Sequence, residues 1–196
     1  LDAVGIELLS VGCEIIKVRR EAITNRQAVI NVLQKWSESD NWLKSKPPAF
    51  HFPHLAITRG AFPPRNEELL GRYLRSVALL RDESARTVLR AAALAVLEEI
   101  SYTRKDGQYL RWDYRSGRRQ GERPFNKGPI KNFDIAVRQK LTQFLEDLEA
   151  PPSLLDFAST AQQWKLEVIC GSCLEQLPKL HPHSFDVLMT SPPYCN

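Results

Sequence analysis

The sequence predicts an α/β fold in which a mainly α-helical insertion interrupts the sheet. Two short apolar runs, 3–7 and 166–170, have the length of buried strands, and a helical pattern follows each of them. Between these runs, apolar residues recur at helical spacing over long stretches. We therefore expect a partial α/β unit at 1–36, a mainly helical insertion at 37–163, and a second α/β segment at 164–196.

The first unit is predicted to contain one strand and two helices. The strand 3–7 ends on an acid, Glu7, and residues 11–22 have apolar side chains at helical spacing. The second helix carries three apolar residues on one face: Val29, Leu33 and Trp36. A strand, an acid and a helix in this order begin an α/β unit.

The insertion is predicted to be built from helices. Apolar stripes mark helices around 69–77, 89–100 and 133–148, and the last of these has nearly ideal spacing. The stretch 101–131 is polar, and we expect irregular structure there.

A basic loop at 104–131 has the composition of a nucleic-acid contact. It contains nine Lys or Arg against three Asp or Glu, with aromatic residues interleaved. Such a mixture suits a surface that follows phosphates and stacks on bases. The alternative is a solvated loop, or arginine stems that pack on Trp112. The candidate DNA-binding residues are Arg111, Arg115, Arg118 and Arg119.

The last segment is predicted to end in a buried strand that stops at two prolines. After the strand 166–170 come a turn, a short helix and an apolar run at 185–190, followed by Ser191-Pro192-Pro193-Tyr194. Prolines cannot continue a strand ladder, and the carboxyl ends of strands are where open α/β sheets bind ligands. The Ser191 hydroxyl and the Pro192 carbonyl can accept hydrogen bonds from one amino group, and Tyr194 offers a face for stacking. These groups suit a flipped base that carries an exocyclic amine.

Thr190-Ser-Pro-Pro-Tyr194 after an apolar strand resembles the catalytic motif of the amino-group DNA methyltransferases. The resemblance implies a partial S-adenosylmethionine-dependent methyltransferase sheet, which is Rossmann-like, and Ser191, Pro192, Pro193 and Tyr194 as catalytic residues. It implies methyl transfer to a base amine in double-stranded DNA. Cytosine N4 is preferred for this motif, and adenine N6 is the alternative. A non-enzymatic DNA-binding module, built from the helical part, is the competing hypothesis.

The same resemblance implies a set of cofactor-binding residues. Val4-Gly-Ile-Glu7 is similar to the second strand of the cofactor fold, whose terminal acid binds the ribose hydroxyls. Gly171, Ser172 and Cys173 correspond to the turn near the adenine, although Ser172 replaces an Asp that is frequent there. The family's glycine-rich loop is not found in this sequence. We therefore expect a fragment of an enzyme, inactive and poorly stable by itself, in which the strand 3–7 pairs with 166–170.

Composition limits the other classes of function. No apolar run approaches the roughly 18 residues of a membrane span, so no membrane partner is expected. Four scattered Cys favour a reduced, cytoplasmic protein. No metal is expected, because His51-x-x-His54 and Cys170-x-x-Cys173 each offer only two ligands. The resemblance adds a cognate restriction endonuclease as a further partner.

Overall fold

The computed structural model describes residues 2–44, 52–107, 109–119, 123–150 and 165–190. The described strands are β1 (Ala3–Glu7), β2 (Thr103–Asp106), β3 (Tyr109–Trp112) and β4 (Leu166–Cys170). The described helices are α1 (Ser10–Thr24), α2 (Arg26–Ser37), α3 (Asn41–Lys44), α4 (Pro64–Ala78), α5 (Glu83–Ala95), α6 (Leu97–Ile100), α7 (Phe133–Glu149) and α8 (Cys173–Gln176). The fold is therefore mixed α/β, with a small parallel sheet and many helices.

The parallel sheet joins two segments that are far apart in the sequence. β1 and β4 pair in register from Ala3 opposite Leu166 to Glu7 opposite Cys170. The pairing predicted from the sequence is confirmed. It places the carboxyl ends of both strands at the same edge of the sheet, beside the beginning of α1.

A disulfide bond fastens α1 to this sheet. Cys13 of α1 is bonded to Cys170 at the end of β4, and their Cα atoms are 6.2 Å apart, within the usual span of a disulfide. The prediction of reduced cysteines is wrong for this pair. The two residues are 157 positions apart in the sequence, so only the packing of α1 over the paired strands brings them together.

The core lies in the helical part of the molecule, among α2, α3, α4, α5 and α7. Trp42, Tyr73 and Phe133 are fully buried at its centre, and Tyr73 packs edge-on against both of the other rings. The Tyr73 hydroxyl donates a hydrogen bond to the carbonyl of Leu89 at 3.0 Å, and burial raises the pKa of Tyr73. The Trp42 Nε1–H donates to Asp134 at 2.9 Å, so the polar group of this buried indole has a hydrogen-bond partner.

Helix α2 packs with the helices of the middle part of the chain rather than with the sheet. Its buried residues Val29, Leu33 and Trp36 belong to the same core cluster as Phe133 and Val137 of α7. The three-part division of the sequence stays a prediction, and packing groups α2 with the helices of the middle part.

A β-hairpin occupies part of the stretch expected to be irregular. β2 and β3 pair antiparallel, from Thr103 opposite Trp112 to Asp106 opposite Tyr109. The prediction of irregular structure is wrong here. Asp106-Gly107 makes the turn, and Gly107 has φ of 58°, a conformation that glycine adopts without steric cost.

The apolar run at 185–190 is not a strand in this structure. Residues 187–190 form no ladder, and the side chains of Val187, Leu188 and Met189 are 76%, 74% and 93% exposed. The predicted closing strand is therefore wrong for this structure. A parallel strand is stable when it is covered on both faces and paired along its edges. The described β1–β4 pair provides neither for this segment.

Candidate active site and nucleic-acid interface

The predicted cofactor residues meet where β1 and β4 end. Glu7 is the last residue of β1, and its carbonyl accepts a hydrogen bond from the Gly171 N–H at 2.9 Å. Gly171 directly follows β4, and Ser172 follows it. Two segments separated by most of the chain are thus joined at one edge of the sheet, with the acid on one side and the turn on the other.

The carboxylate of Glu7 lies over the first turn of α1. Its Oε1 accepts a hydrogen bond from the Leu9 N–H at 2.8 Å, where the positive end of the helix favours a negative charge. The carboxylate can lie this close because residue 12 is glycine. A Cβ at Gly12 would come within 2.6 Å of the Glu7 Cδ. The described residues donate no hydrogen bond to Oε2, so that oxygen can accept from a ligand hydroxyl.

The turn after β4 opens onto solvent. Ser172 immediately precedes α8, and its carbonyl accepts from the Glu175 and Gln176 N–H groups. The Ser172 side chain does not cap that helix, which leaves its hydroxyl for other partners. Cys173 is an exposed free thiol. The structure thus groups Glu7 with Gly171 and Ser172, and places Cys173 beside them on α8.

The predicted catalytic residues Ser191, Pro192, Pro193 and Tyr194 lie outside the described residues. Their catalytic role stays a prediction from the sequence.

One buried aspartate organises the basic loop. Asp113 is 0% exposed and accepts from the Arg115 Nε at 2.6 Å and the Lys127 backbone N–H at 2.7 Å. The Nη2 of the same guanidinium donates a second hydrogen bond to Asp113, at 2.9 Å. These donors hold the pKa of Asp113 well below its usual range, the hydrogen bond from Arg115 having the largest effect. Arg115 also donates to the carbonyl of Gly128 at 2.6 Å, so it joins two parts of the loop.

A second arginine fastens the loop to the helical body. The guanidinium of Arg118 lies 3.5 Å from the centre of the Trp112 ring. Its Nη2 lies within hydrogen-bond distance of three carbonyls, those of Ala56, Ile57 and Arg59, at 2.8 to 3.2 Å. This is the arrangement of the alternative reading, in which arginine stems pack on Trp112. Arg115 and Arg118 therefore have structural contacts, and a DNA contact for either stays a prediction.

The other two predicted DNA-binding arginines are exposed. Arg111 lies over the Phe125 ring at 4.1 Å and forms an exposed ion pair with Asp106 at 3.3 Å. Arg119 is also exposed. Lys127 differs from both, since its Nζ donates to the Ser101 carbonyl at 2.9 Å and also to the Glu98 carbonyl. Burial lowers the pKa of Lys127. The loop thus contains basic side chains that hold it together and exposed basic side chains that can meet a partner.

Comparison with known proteins shows which proteins the chain is similar to. The chain is 40% identical over 201 residues to the type II methyltransferase M.AvaI of Nostoc sp. and equally to M.AvaI of Anabaena variabilis, and these alignments cover 100% of this chain. It is 38% identical over 160 residues to the type II methyltransferase M.BsoBI of Geobacillus stearothermophilus. This chain is a relative of the type II methyltransferases. The predicted resemblance to the DNA methyltransferase family is confirmed.

The match covers only part of these methyltransferases. The chain spans 40% of the length of either M.AvaI protein and 30% of M.BsoBI. No protein-family model and no solved structure matches it.

Neither a membrane span nor a metal-binding cluster is found among the residues that the structure describes. None of the helices there is both long and apolar enough to cross a membrane. No group of three or more His, Cys, Asp or Glu side chains is placed there to hold a metal ion.

Sequence reasoning missed two residues that shape the candidate sites. Gly12 makes room for the Glu7 carboxylate, and a glycine in the first turn of the helix after a strand-terminal acid was the available signal. Asp113 is buried and binds several donors of the basic loop, and an acidic residue among many basic residues was the only signal for it. Neither position stands out by residue type alone.

Proposed function

We propose that this chain forms part of an S-adenosylmethionine-dependent DNA methyltransferase that methylates the exocyclic amine of a flipped base, with cytosine N4 preferred. The observation that carries the proposal is the meeting of Glu7 with Gly171 and Ser172 at the carboxyl edge of the parallel sheet. The sequence identity of 40% to a type II methyltransferase, over the full length of this chain, supports the reaction class. Because the chain spans 40% of these relatives, the activity is proposed for the whole protein.

The cofactor fits the residues at this edge in a Rossmann-like arrangement. Glu7 would accept hydrogen bonds from the ribose hydroxyls, since its Oε2 accepts none from the described residues while Leu9 fixes Oε1. Gly171 and Ser172 would lie beside the adenine, with Cys173 at the border of that contact. When bound, S-adenosylmethionine supplies an electrophilic methyl group. Binding at the carboxyl ends of parallel strands is the usual position for ligands of open α/β sheets.

The base would be held by the residues that follow Thr190. The Ser191 hydroxyl and the Pro192 carbonyl would each accept a hydrogen bond from the base amine and orient its lone pair toward the methyl group. Pro193 would fix the turn, and Tyr194 would stack on the base. Positioning and electrostatics would supply most of the catalysis, because no covalent bond forms between the protein and the base.

Cofactor binding tests the proposal most directly. In an enzyme of the relatives' full length that carries this chain, Glu7→Gln should weaken S-adenosylmethionine binding about ten- to hundredfold, because it removes a charged acceptor. Isothermal titration calorimetry measures the affinity. The matched control is Glu167→Gln, an exposed acid within β4. Equal affinities for the Glu7 variant and the parent protein would refute the assigned cofactor edge.

The target base is tested by identifying the product. Mass spectrometry of nucleosides from DNA treated with the enzyme should show N4-methylcytosine. N6-methyladenine would establish the alternative target, and DNA binding with no methyl transfer would establish the non-enzymatic module.

The proposed partners follow from this reaction. Double-stranded DNA is the substrate, and a cognate restriction endonuclease is a proposed companion, since the relatives are named as type II enzymes. The proposed location is the cytoplasm, where bacterial DNA is accessible. Protection of cellular DNA against the endonuclease of a type II relative would test the pairing.

A further inference from the structure

We propose that the outer face of the β2–β3 hairpin is a docking surface for duplex DNA, on which Arg104 and Arg111 bind backbone phosphate together. This inference rests on the proposed function, since it names the surface by which such an enzyme would hold its substrate. Arg104 was not among the DNA-binding residues predicted from the sequence. The hairpin that pairs it with Arg111 was not predicted either.

The strand register puts the two arginines side by side. In the antiparallel ladder Arg104 lies directly opposite Arg111, so both side chains project from the same face. Thr103 and Trp112 are the next opposed pair and project from the other face, where Thr103 is buried and Trp112 is half-buried. The arginine face is therefore the outer one at this end of the hairpin, and both arginines are exposed; nearer the turn, Lys105 and Leu110 of the other face are exposed as well.

Like charges directly opposite each other in a ladder are destabilising unless an opposite charge lies between them. Among the described residues no acid forms an ion pair with Arg104, and the exposed Asp106 pairs with Arg111 alone, at 3.3 Å. Two acids, Glu98 and Glu99, lie near Arg104, and Glu99 is engaged with Lys131 at 2.7 Å. A phosphate would neutralise the Arg104–Arg111 pair, and guanidinium groups match its geometry well.

Hydrogen bonds fasten the base of the hairpin to the helical body. The Tyr102 N–H donates to the Ala61 carbonyl at 2.7 Å, and the Asp113 N–H donates to the Tyr102 carbonyl at 2.7 Å. Asp113 and Arg118 add the side-chain contacts already described. Fastening the ribbon at its base reduces the entropy that it would lose on binding a partner.

The shape of the hairpin favours a duplex over other polyanions. A two-stranded β-ribbon fits the major groove of DNA, where phosphates line both walls. Tyr109 stands beside the turn on the same face as the arginines and is 78% exposed. An aromatic ring at the tip of a basic ribbon can reach the bases while the arginines hold the backbone.

The test compares two double variants in an enzyme of the relatives' full length that carries this chain. Arg104→Gln with Arg111→Gln removes the proposed contact. Arg75→Gln with Arg81→Gln makes the same change of charge at exposed positions of the helical body. The slope of log affinity against log salt concentration is measured without cofactor on cognate and non-cognate duplexes, and circular dichroism checks folding.

The hairpin variant should lose about two units of slope on both duplexes, because two phosphate contacts disappear, and the control should lose none. An unchanged slope in the folded hairpin variant would overturn the proposal, as would an equal loss in the control. If the hairpin variant fails to fold, the single substitution Arg104→Gln is used, with an expected loss of about one unit. A parent enzyme that shows this dependence but transfers no methyl group would refute the proposed function and leave the docking surface standing.

Discussion

The helical body and the β1–β4 edge differ in how completely they bury their apolar side chains. In the body, Trp42, Phe133 and Leu141 are 0% exposed. At the edge, Leu8 and Leu174 are 69% and 83% exposed, and the strands themselves are at most half-buried. The body has a core of its own, whereas the edge presents apolar surface of the kind that a further layer of protein covers. The difference predicts that stability resides in the body and ligand chemistry at the edge.

Removing a core side chain should have the largest effect on stability. Phe133→Ala opens a cavity beside Tyr73 and should cost about 3–5 kcal/mol of the free energy of unfolding, measured by urea denaturation. Ile135→Ala is the matched control in the same helix, because Ile135 is 55% exposed, and it should cost much less. Similar losses for both variants would show that the body is not packed as described.

The buried aspartate of the basic loop should have the next largest effect. Asp113→Asn replaces an acceptor with an amide whose N–H groups face the donors of Arg115 and Lys127, and it should cost about 1–3 kcal/mol at neutral pH. Asp106→Asn changes an exposed aspartate of the adjoining hairpin and should cost less than about 0.5 kcal/mol. A neutral result at Asp113 would mean that the loop does not depend on this residue.

The pH dependence of the free energy of unfolding provides a second test of the role of Asp113. Its folded-state pKa is depressed, so its stabilising contribution is complete above the unfolded-state pKa of about 4 and is lost as the pH falls toward the folded-state pKa. The stability of the parent protein should therefore fall more steeply below pH of about 4 than that of Asp113→Asn. Parallel curves in urea denaturation at pH values from about 2 to 7 would contradict the depressed pKa.

Two neighbouring arginines separate a structural contact from a DNA contact. Arg118→Ala removes the stacking on Trp112 and the bonds to three carbonyls, so it should cost about 1–2 kcal/mol and speed hydrogen exchange in the hairpin. Arg119→Ala should leave stability within about 0.5 kcal/mol and lower the salt slope of DNA binding by about one unit. An unchanged salt slope of DNA binding for both variants would show that Arg118 and Arg119 do not contact DNA.

Local sequence patterns predicted the elements whose stability comes from local signals. The stripe at 133–148 became α7, because a helical period is combined with Asn132, whose side chain accepts from the Asp134 N–H at the helix start. The hairpin also had a local signal, the Asp106-Gly107 turn, which was overlooked because the flanking strands are polar. Most positions on both faces of this hairpin are exposed, so its strands carry little apolar alternation.

The candidate site was predictable where it depends on the order of elements and not where it depends on distant contacts. Strand order and the strand-terminal acid placed Glu7 beside Gly171 correctly. The link between Cys13 and Cys170 could not be foreseen, because it requires the position of α1 over the sheet. The apolar run at 185–190 has the composition of a buried strand, but composition does not say which neighbours cover it.

In the protein of 196 residues that run gives the smallest expected effect, and a protein of the relatives' full length provides the comparison. In the protein of residues 1–196, Leu188→Ala should change the free energy of unfolding by less than about 0.5 kcal/mol, because Leu188 is 74% exposed. In a protein of the relatives' full length that carries this chain, the same substitution should cost about 2–5 kcal/mol if the run becomes a covered strand. Leu79→Ala, at a position 70% exposed in the body, should be neutral in both contexts. Neutrality of Leu188→Ala in both would mean that the run is never buried, and that Ser191 to Tyr194 are positioned by something other than a strand.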